Sequence, residues 1–129
     1  MKIILLSGNP NAGKTTTFNA LFDQITKSGA SVIEGRKQIG GNGHDFECVL
    51  KIDSKLVALY SMGDYHLACF EAIIKYSHCD ILILAYSDKF KNSIAQMLRN
   101  YSHHVVVSKT NSNQQDVEML IGHIQRTDP

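Results

Sequence analysis

The stretch KIILLSGNPNAGKTTTFNAL, residues 2–21, decides the fold of this chain. An apolar run ends at Gly8, and residues 8–15 then read Gly-Asn-Pro-Asn-Ala-Gly-Lys-Thr. Phe18 and Leu21 follow at helical spacing, so we predict a buried strand, a loop and a helix in that order. We call residues 8–15 the glycine–lysine loop, because glycine and lysine carry the chemistry that this segment predicts.

The glycine–lysine loop fills every position of the phosphate-binding (P-loop) pattern. Its glycines let the backbone wrap around a phosphate with the N–H groups inward, above the positive end of a helix. Lys14 is expected to reach the β- and γ-phosphates as a catalytic residue, and the Thr15 hydroxyl is expected to bind Mg²⁺. The residues predicted to contact the nucleotide are Gly8, Asn9, Asn11, Ala12, Gly13, Lys14, Thr15 and Thr16.

The rest of the chain alternates apolar runs with amphipathic stretches, which indicates an α/β fold. Residues 45–52 and 55–61 read as an antiparallel hairpin, and the apolar strands 80–87 and 104–109 suit a sheet covered on both faces. Helices are predicted at residues 13–28, 66–77, 91–102 and 114–125. We therefore predict a single three-layer domain over residues 1–129, with a mostly parallel sheet and one antiparallel hairpin strand.

Composition limits the function. The chain has 13 basic and 12 acidic side chains and a net charge of +1, so no overall field recruits nucleic acid or an anionic membrane. The first apolar run is too short for a signal peptide or a membrane span, which predicts a cytoplasmic protein without membrane insertion. Cys48, Cys69 and Cys79 lack paired spacing and are predicted to be buried free thiols.

Residues 28–45 contain five glycines and few apolar residues, which predicts a mobile loop. Arg36 and Lys37 in this segment could bend over bound phosphates, or they could be solvated loop charges. Between Gly29 and Asp45 there is no threonine that could bind magnesium.

The segment GNPNAGKTTTFNAL, residues 8–21, resembles the first motif of the translation-factor-like GTPases, and within them the G domain of the bacterial ferrous-iron transporter B. The resemblance implies a P-loop NTPase fold that binds a nucleotide with Mg²⁺. It also implies an Asp-x-x-Gly motif, and the equivalent position here reads Tyr60-Ser61-Met62-Gly63. Gly63 is therefore expected to contact the γ-phosphate through its N–H, whereas the family's aspartate has no counterpart at Tyr60.

Asp64 follows Gly63, at the place where many small GTPases keep the glutamine that orients the attacking water. Its carboxylate could position that water or bind the magnesium ion, so we predict Asp64 as a catalytic and metal residue. The structural alternative is that Asp64 caps the helix that begins near Tyr65. Asp88, directly after the strand 80–87, is a competing magnesium carboxylate or a loop residue.

Ser108-Lys109-Thr110-Asn111 stands where the family has Asn-Lys-x-Asp. The family's aspartate accepts two hydrogen bonds from guanine, but the amide of Asn111 also donates, which weakens a preference for guanine. Lys109 could still stack its stem along a purine face. Lys109 and Asn111 are therefore predicted base contacts, and the nucleotide is ATP or GTP.

Three functions remain open from the sequence. The first, which we favour, is a slow NTPase or GTPase-like switch that binds Mg²⁺ and a nucleoside triphosphate. The second is a small-molecule or nucleotide kinase with Asp64 as the base, against which the small number of arginines counts. The third is a degenerate nucleotide-binding interaction protein without turnover, so a protein partner is left open.

Overall fold

The structure is a computed structural model that describes residues 1–9, 12–40, 44–99, 101 and 103–126. Its strands are β1 (Lys2–Gly8), β2 (Ser31–Gln38), β3 (Phe46–Ile52), β4 (Lys55–Tyr60), β5 (Ile81–Ser87) and β6 (His104–Ser108). Its α-helices are α1 (Lys14–Lys27), α2 (His66–Lys75), α3 (Lys91–Leu98) and α4 (Asn113–Gln125), and a 3-10 turn spans Asp88–Phe90. The predicted helices and strands are therefore present, with ends that differ by a few residues.

All six strands form one sheet in the order β2-β3-β4-β5-β1-β6. The central strand β1 pairs in parallel with β5 and β6, and Leu5 lies opposite Leu84 on one side and Val106 on the other. β4 is parallel to β5, whereas β3 is antiparallel to both β2 and β4. The predicted α/β class, with a mostly parallel sheet and one antiparallel hairpin, is confirmed. The strand β5 separates β4 from β1.

The alternation along β1 divides the core between the two faces of the sheet. Ile4 and Leu6 pack with residues of α1 and α4, whereas Ile3 and Leu5 pack with residues of α2 and α3. All of β5 is buried, which explains its unbroken apolar sequence. The start of α1 and the segment that follows β4 line one cavity, and Gly63 of that segment also lies against β5.

The prediction of a mobile loop at residues 28–45 is wrong for its first half, because Ser31–Gln38 forms β2. This strand pairs with β3 through an irregular register, and all eight of its residues are exposed. Since neither face of β2 is buried, its sequence carries no apolar alternation. Charged residues and glycine are typical of an edge strand but also of a loop, so the sequence did not indicate that residues 31–38 form a strand.

The three cysteines are buried free thiols, as predicted. Burial raises the pKa of the Cys48 and Cys69 thiols to about 12, so both are inert at neutral pH. Among the described residues, no helix combines the length and the apolar character that a membrane crossing requires.

Candidate functional site

The glycine–lysine loop connects the end of β1 to the start of α1. Gly13 is the N-cap residue of α1 and has a φ of +92°, a left-handed conformation that strains any residue with a side chain. Its carbonyl accepts the first helical hydrogen bond, from the Thr17 N–H at 3.1 Å. Ala12 donates its N–H to the Asn9 carbonyl at 3.1 Å. The glycine that the pattern requires is therefore also required by the start of the helix.

Lys14 is buried although it carries a charge, with 6% of its surface exposed. Its Nζ donates to the Gly8 carbonyl at 3.0 Å and to the Asn9 carbonyl at 2.9 Å. Burial lowers the pKa of Lys14, and the charges of Asp64, Asp88 and Asp45 partly oppose that shift. The ammonium group is thus held over the loop by the loop's own carbonyl groups.

A cavity of about 260 Å³ lies in front of the first turn of α1. It is lined by Gly13, Lys14, Thr15, Asp45, Ser61, Gly63 and Asp64. The structure therefore brings together five of the predicted site residues and adds Asp45 and Ser61, which the sequence did not indicate as site residues. Thr16 is exposed in the first turn of α1, and Asn11 lies outside the described residues.

Asp45 is the buried acidic group of the cavity, with 8% of its surface exposed. Its Oδ1 accepts a hydrogen bond from the Thr15 hydroxyl at 2.8 Å and another from the Ser61 hydroxyl at 3.0 Å. Ser61 Oγ in turn accepts from the Phe46 N–H at 2.9 Å. The carboxylate is thereby fixed between α1 and the end of β4. No local motif indicates this, because Asp45 contacts Thr15 only after the sheet has formed.

Gly63 lies so close to β5 that no side chain fits there. A Cβ atom at Gly63 would lie 2.7 Å from backbone atoms of Ala85 and Tyr86. The Gly63 carbonyl also accepts from the Ser87 N–H at 2.9 Å. The close approach of the segment after β4 to β5 therefore explains this glycine without reference to a ligand.

Asp64 is exposed at the rim of the cavity. The N-cap residue of α2 is Tyr65, with no side-chain capping bond, so the helix-cap alternative for Asp64 is wrong. Asp88 begins the 3-10 turn after β5 and is exposed, and it is not part of the cavity lining. Asp64 is thus the better placed of these two predicted carboxylates.

Arg36 does not line the cavity. Its guanidinium carbon lies 4.1 Å from the centre of the Phe46 ring and 5.0 Å from that of Phe22, and the guanidinium also donates to Asn19. Cation–π contact of this kind holds the side chain on β3 and α1. Arg36 is exposed, as the alternative of a solvated charge predicted, but it lies on strand β2 rather than in a loop and packs on two aromatic rings.

Lys109 packs against the other side of the glycine–lysine loop. A Cβ atom at Gly8 would lie 3.1 Å from the Lys109 Cβ, and one at Gly13 would lie 3.6 Å from the Lys109 Cε. The Lys109 Nζ donates to Asp116 Oδ2 at 2.7 Å, and Thr110 donates to the same carboxylate. This buried ion pair, which joins the end of β6 to α4, was not predicted.

Asn111, the other predicted base contact, is exposed after β6. Lys109 lies beside the loop, and its ammonium group is paired with Asp116. Its side chain is only 4% exposed, so neither its charge nor its stem lies open on this side of the loop.

The oxygen donors of the cavity fit a magnesium ion that is bound together with phosphates. Within the described part of the chain, no group of three His, Cys, Asp or Glu side chains could hold a metal ion by itself. Thr15 and Asp45 present hydroxyl and carboxylate oxygens, and Mg²⁺ commonly takes one or two carboxylates plus phosphates and waters.

No family model, curated protein or solved structure was found to match this chain.

Proposed function

We propose that this chain has a P-loop NTPase fold and binds a nucleoside triphosphate with Mg²⁺ in the cavity at the glycine–lysine loop. The observation that carries the proposal is the convergence of the Gly13 turn, Lys14 and Thr15 on that cavity. The first N–H groups of α1 have no partner within the helix, and the helix dipole favours negative charge there. A phosphate group supplies both the acceptors and the charge.

Lys14 is the cation that contacts the β- and γ-phosphates in this proposal. Its hydrogen bonds to the Gly8 and Asn9 carbonyls hold the ammonium group at the loop. A short rotation of the side chain exchanges carbonyl acceptors for phosphate oxygens, which make stronger charge-assisted bonds. A bound Mg²⁺ supplies further positive charge to the phosphates, and the Thr15 hydroxyl is one of its ligands.

Slow hydrolysis is the reaction that we propose. The Asp64 carboxylate lies at the rim of the cavity, exposed to water, and no described hydrogen bond ties it to another side chain. A free carboxylate there can accept a proton from, or orient, the water that attacks the γ-phosphate. The Gly63 backbone, which is fixed against β5, lines the same cavity next to Asp64.

The base is bound with little discrimination between ATP and GTP in this proposal. The Lys109 side chain is buried and paired with Asp116, so it supports the loop and offers the base neither a charge nor an open face. Asn111 presents both a donor and an acceptor, so it pairs with either purine edge less well than a carboxylate pairs with guanine.

A second candidate is nucleotide binding without turnover, by a protein that acts through a partner. The fact that favours it is that the Lys14 ammonium group donates to the carbonyl groups of Gly8 and Asn9, which gives this lysine a structural role that requires no turnover. The two candidates share the binding site and differ only in the reaction.

Calorimetric titration with ATP, GTP and their non-hydrolysable analogues in Mg²⁺ tests the shared site. We expect binding that Lys14→Ala weakens about a hundredfold, in keeping with a charge-assisted pair worth about 3 kcal/mol. Lys51→Ala, which removes an exposed lysine of β3, is the matched control and should bind as the unaltered protein does. If no nucleotide binds, or if both variants behave alike, the proposal is wrong. Phosphate release then separates the switch from the interaction protein, and product formed only with an added acceptor would indicate a kinase.

A further inference from the structure

We propose that Asp45 is the carboxylate of the magnesium site, in the role for which the sequence offers no aspartate at Tyr60. The inference rests on the proposed nucleotide binding and names a residue on a different strand from the one that the resemblance implies. Asp45 precedes β3, the single antiparallel strand of the sheet, whereas Tyr60 ends β4.

The contact between Asp45 and Thr15 carries the inference. Thr15 Oγ1 donates its proton to Asp45 Oδ1 at 2.8 Å. A hydroxyl group has one proton and two lone pairs, so the bond to Asp45 directs the proton to the carboxylate and leaves the lone pairs for a cation. Asp45 therefore orients the Thr15 oxygen as a metal ligand before the ion arrives.

The second oxygen of Asp45 strengthens this assignment. Both hydrogen bonds to the carboxylate, from Thr15 and from Ser61, end on Oδ1. Oδ2 receives none from the described part of the chain, and Asp45 lines the cavity. A carboxylate with one oxygen fixed and the other available can bind a hard cation directly or through a water.

The other two carboxylates near Lys14 are less suited to the ion. Asp64 is exposed at the rim, and Asp88 is exposed and is not part of the lining. Only Asp45 of the three is buried and hydrogen-bonded to Thr15 among the described residues. The negative charges of all three carboxylates act on the ammonium group of Lys14, which is therefore their common neighbouring cation. Desolvation of Asp45 is thus compensated by Lys14 and by two hydroxyl groups until a cation binds.

The test compares Asp45→Asn with Asp64→Asn and Asp88→Asn. The side-chain amide that Asp45→Asn introduces keeps an oxygen that accepts from Thr15 and Ser61, so this variant removes charge with little change of shape. Mn²⁺ replaces Mg²⁺ and its binding to the protein–nucleotide complex is followed by electron paramagnetic resonance. Nucleotide affinity is measured separately in EDTA.

We expect Asp45→Asn to weaken Mn²⁺ binding about ten- to a hundredfold, as losses at metal-site carboxylates do, and to leave nucleotide affinity in EDTA unchanged. Asp64→Asn and Asp88→Asn should bind Mn²⁺ within about threefold of the unaltered protein. If Asp45→Asn binds Mn²⁺ normally, or if the loss belongs to Asp64→Asn, the inference is wrong while nucleotide binding stands. If the unaltered protein binds no nucleotide, with or without metal, the proposed function fails and the inference fails with it.

A measurement on the unaltered protein removes any dependence on the folding of the variants. Fe²⁺ is loaded in place of Mg²⁺ with a nucleotide, and ascorbate with hydrogen peroxide then generates hydroxyl radicals that cut the backbone near the metal. Cuts next to residues 15 and 45 are expected. Cuts next to residue 64 or 88 without one at residue 45 would overturn the assignment.

Discussion

The two sides of the central strand each contain a lysine paired with a carboxylate, and the two pairs differ in exposure. On the α4 side, the side chains of Lys109 and Asp116 are 4% and 1% exposed. On the hairpin side, Lys75 pairs with Glu47, and these side chains are 52% and 9% exposed. Tyr76 also donates to Glu47. The first pair is closed off from water and the second is open on its lysine side.

This difference shows where ligand chemistry can occur. The closed pair holds the Lys109 stem against Gly8 and Gly13, so the α4 side supports the glycine–lysine loop. The hairpin side supplies the cavity with Asp45 and Asp64. A buried ion pair whose partner is removed is costly, whereas a solvent-screened pair contributes little. Substitutions on the two sides should therefore differ in the size of their effect on stability.

Asp116→Ala should have the largest effect on stability. It leaves the Lys109 ammonium buried without a counter-charge, which we expect to lower the free energy of unfolding by about 3–5 kcal/mol. Urea denaturation followed by circular dichroism measures this. Glu118→Ala, on the exposed side of the same helix, should stay within about 0.5 kcal/mol. A loss below about 1 kcal/mol for Asp116→Ala would mean that the α4 side is as open as the hairpin side.

Asp64→Ala should affect the reaction rather than the fold. Since Asp64 is exposed, we expect unfolding free energy within about 0.5 kcal/mol of the unaltered protein. Basal phosphate release should fall about a hundredfold, as it does when a positioned general base is removed. Asp23→Ala, which removes an exposed aspartate of α1, is the control. Unchanged phosphate release in Asp64→Ala would separate Asp64 from the chemistry.

Gly63→Ala should destabilise the hairpin side through a steric clash. The new Cβ atom would lie 2.7 Å from the backbone of β5, and overpacking of this kind costs about 1–3 kcal/mol. The control is Gly122→Ala in α4, where nothing lies within 4 Å and the helix gains about 0.5–1 kcal/mol. Equal stability of the two variants in thermal unfolding would show that the segment after β4 can move away from β5 at Gly63.

Glu47→Gln should give the smallest effect, and one that depends on pH. Burial raises the pKa of Glu47, but hydrogen bonds from Lys75 and Tyr76 outweigh it and hold that pKa below its ordinary value of about 4.3. The pair therefore stabilises the protein above about pH 4.3 and loses this contribution as the pH falls through the lowered pKa.

The contribution is at most about 1 kcal/mol, because Lys75 is half exposed. Urea midpoints at pH 7 and pH 3 should differ less in Glu47→Gln than in the unaltered protein. An identical difference in both proteins would mean that other carboxylates account for the acid response.

The parts of this molecule that depend on nearby residues were predicted well. The strand, loop and helix at residues 2–21 follow from apolar spacing and glycine chemistry, and so do the hairpin, the buried strand β5 and the presence of β6. The expectation that β6 is covered on both faces is wrong, because only Val107 of its five residues is buried at this end of the sheet. The edge strand β2 was not predicted, because all of its residues are exposed and its sequence therefore lacks an alternation of apolar and polar residues. Gly63 was singled out for a ligand role, whereas the structure also explains it by contact with β5.

The sequence by itself predicted the α/β class, the position of the glycine–lysine loop between β1 and α1, and the choice of Lys14 and Thr15 as candidate site residues. These features follow from residues that lie within a few positions of one another in the chain. Only the tertiary structure brought Asp45 to Thr15 and Asp116 to Lys109. The first contact joins two elements that are 30 residues apart. Such contacts depend on how strands are ordered in the sheet, and that order is set by burial over the whole core rather than by any local pattern.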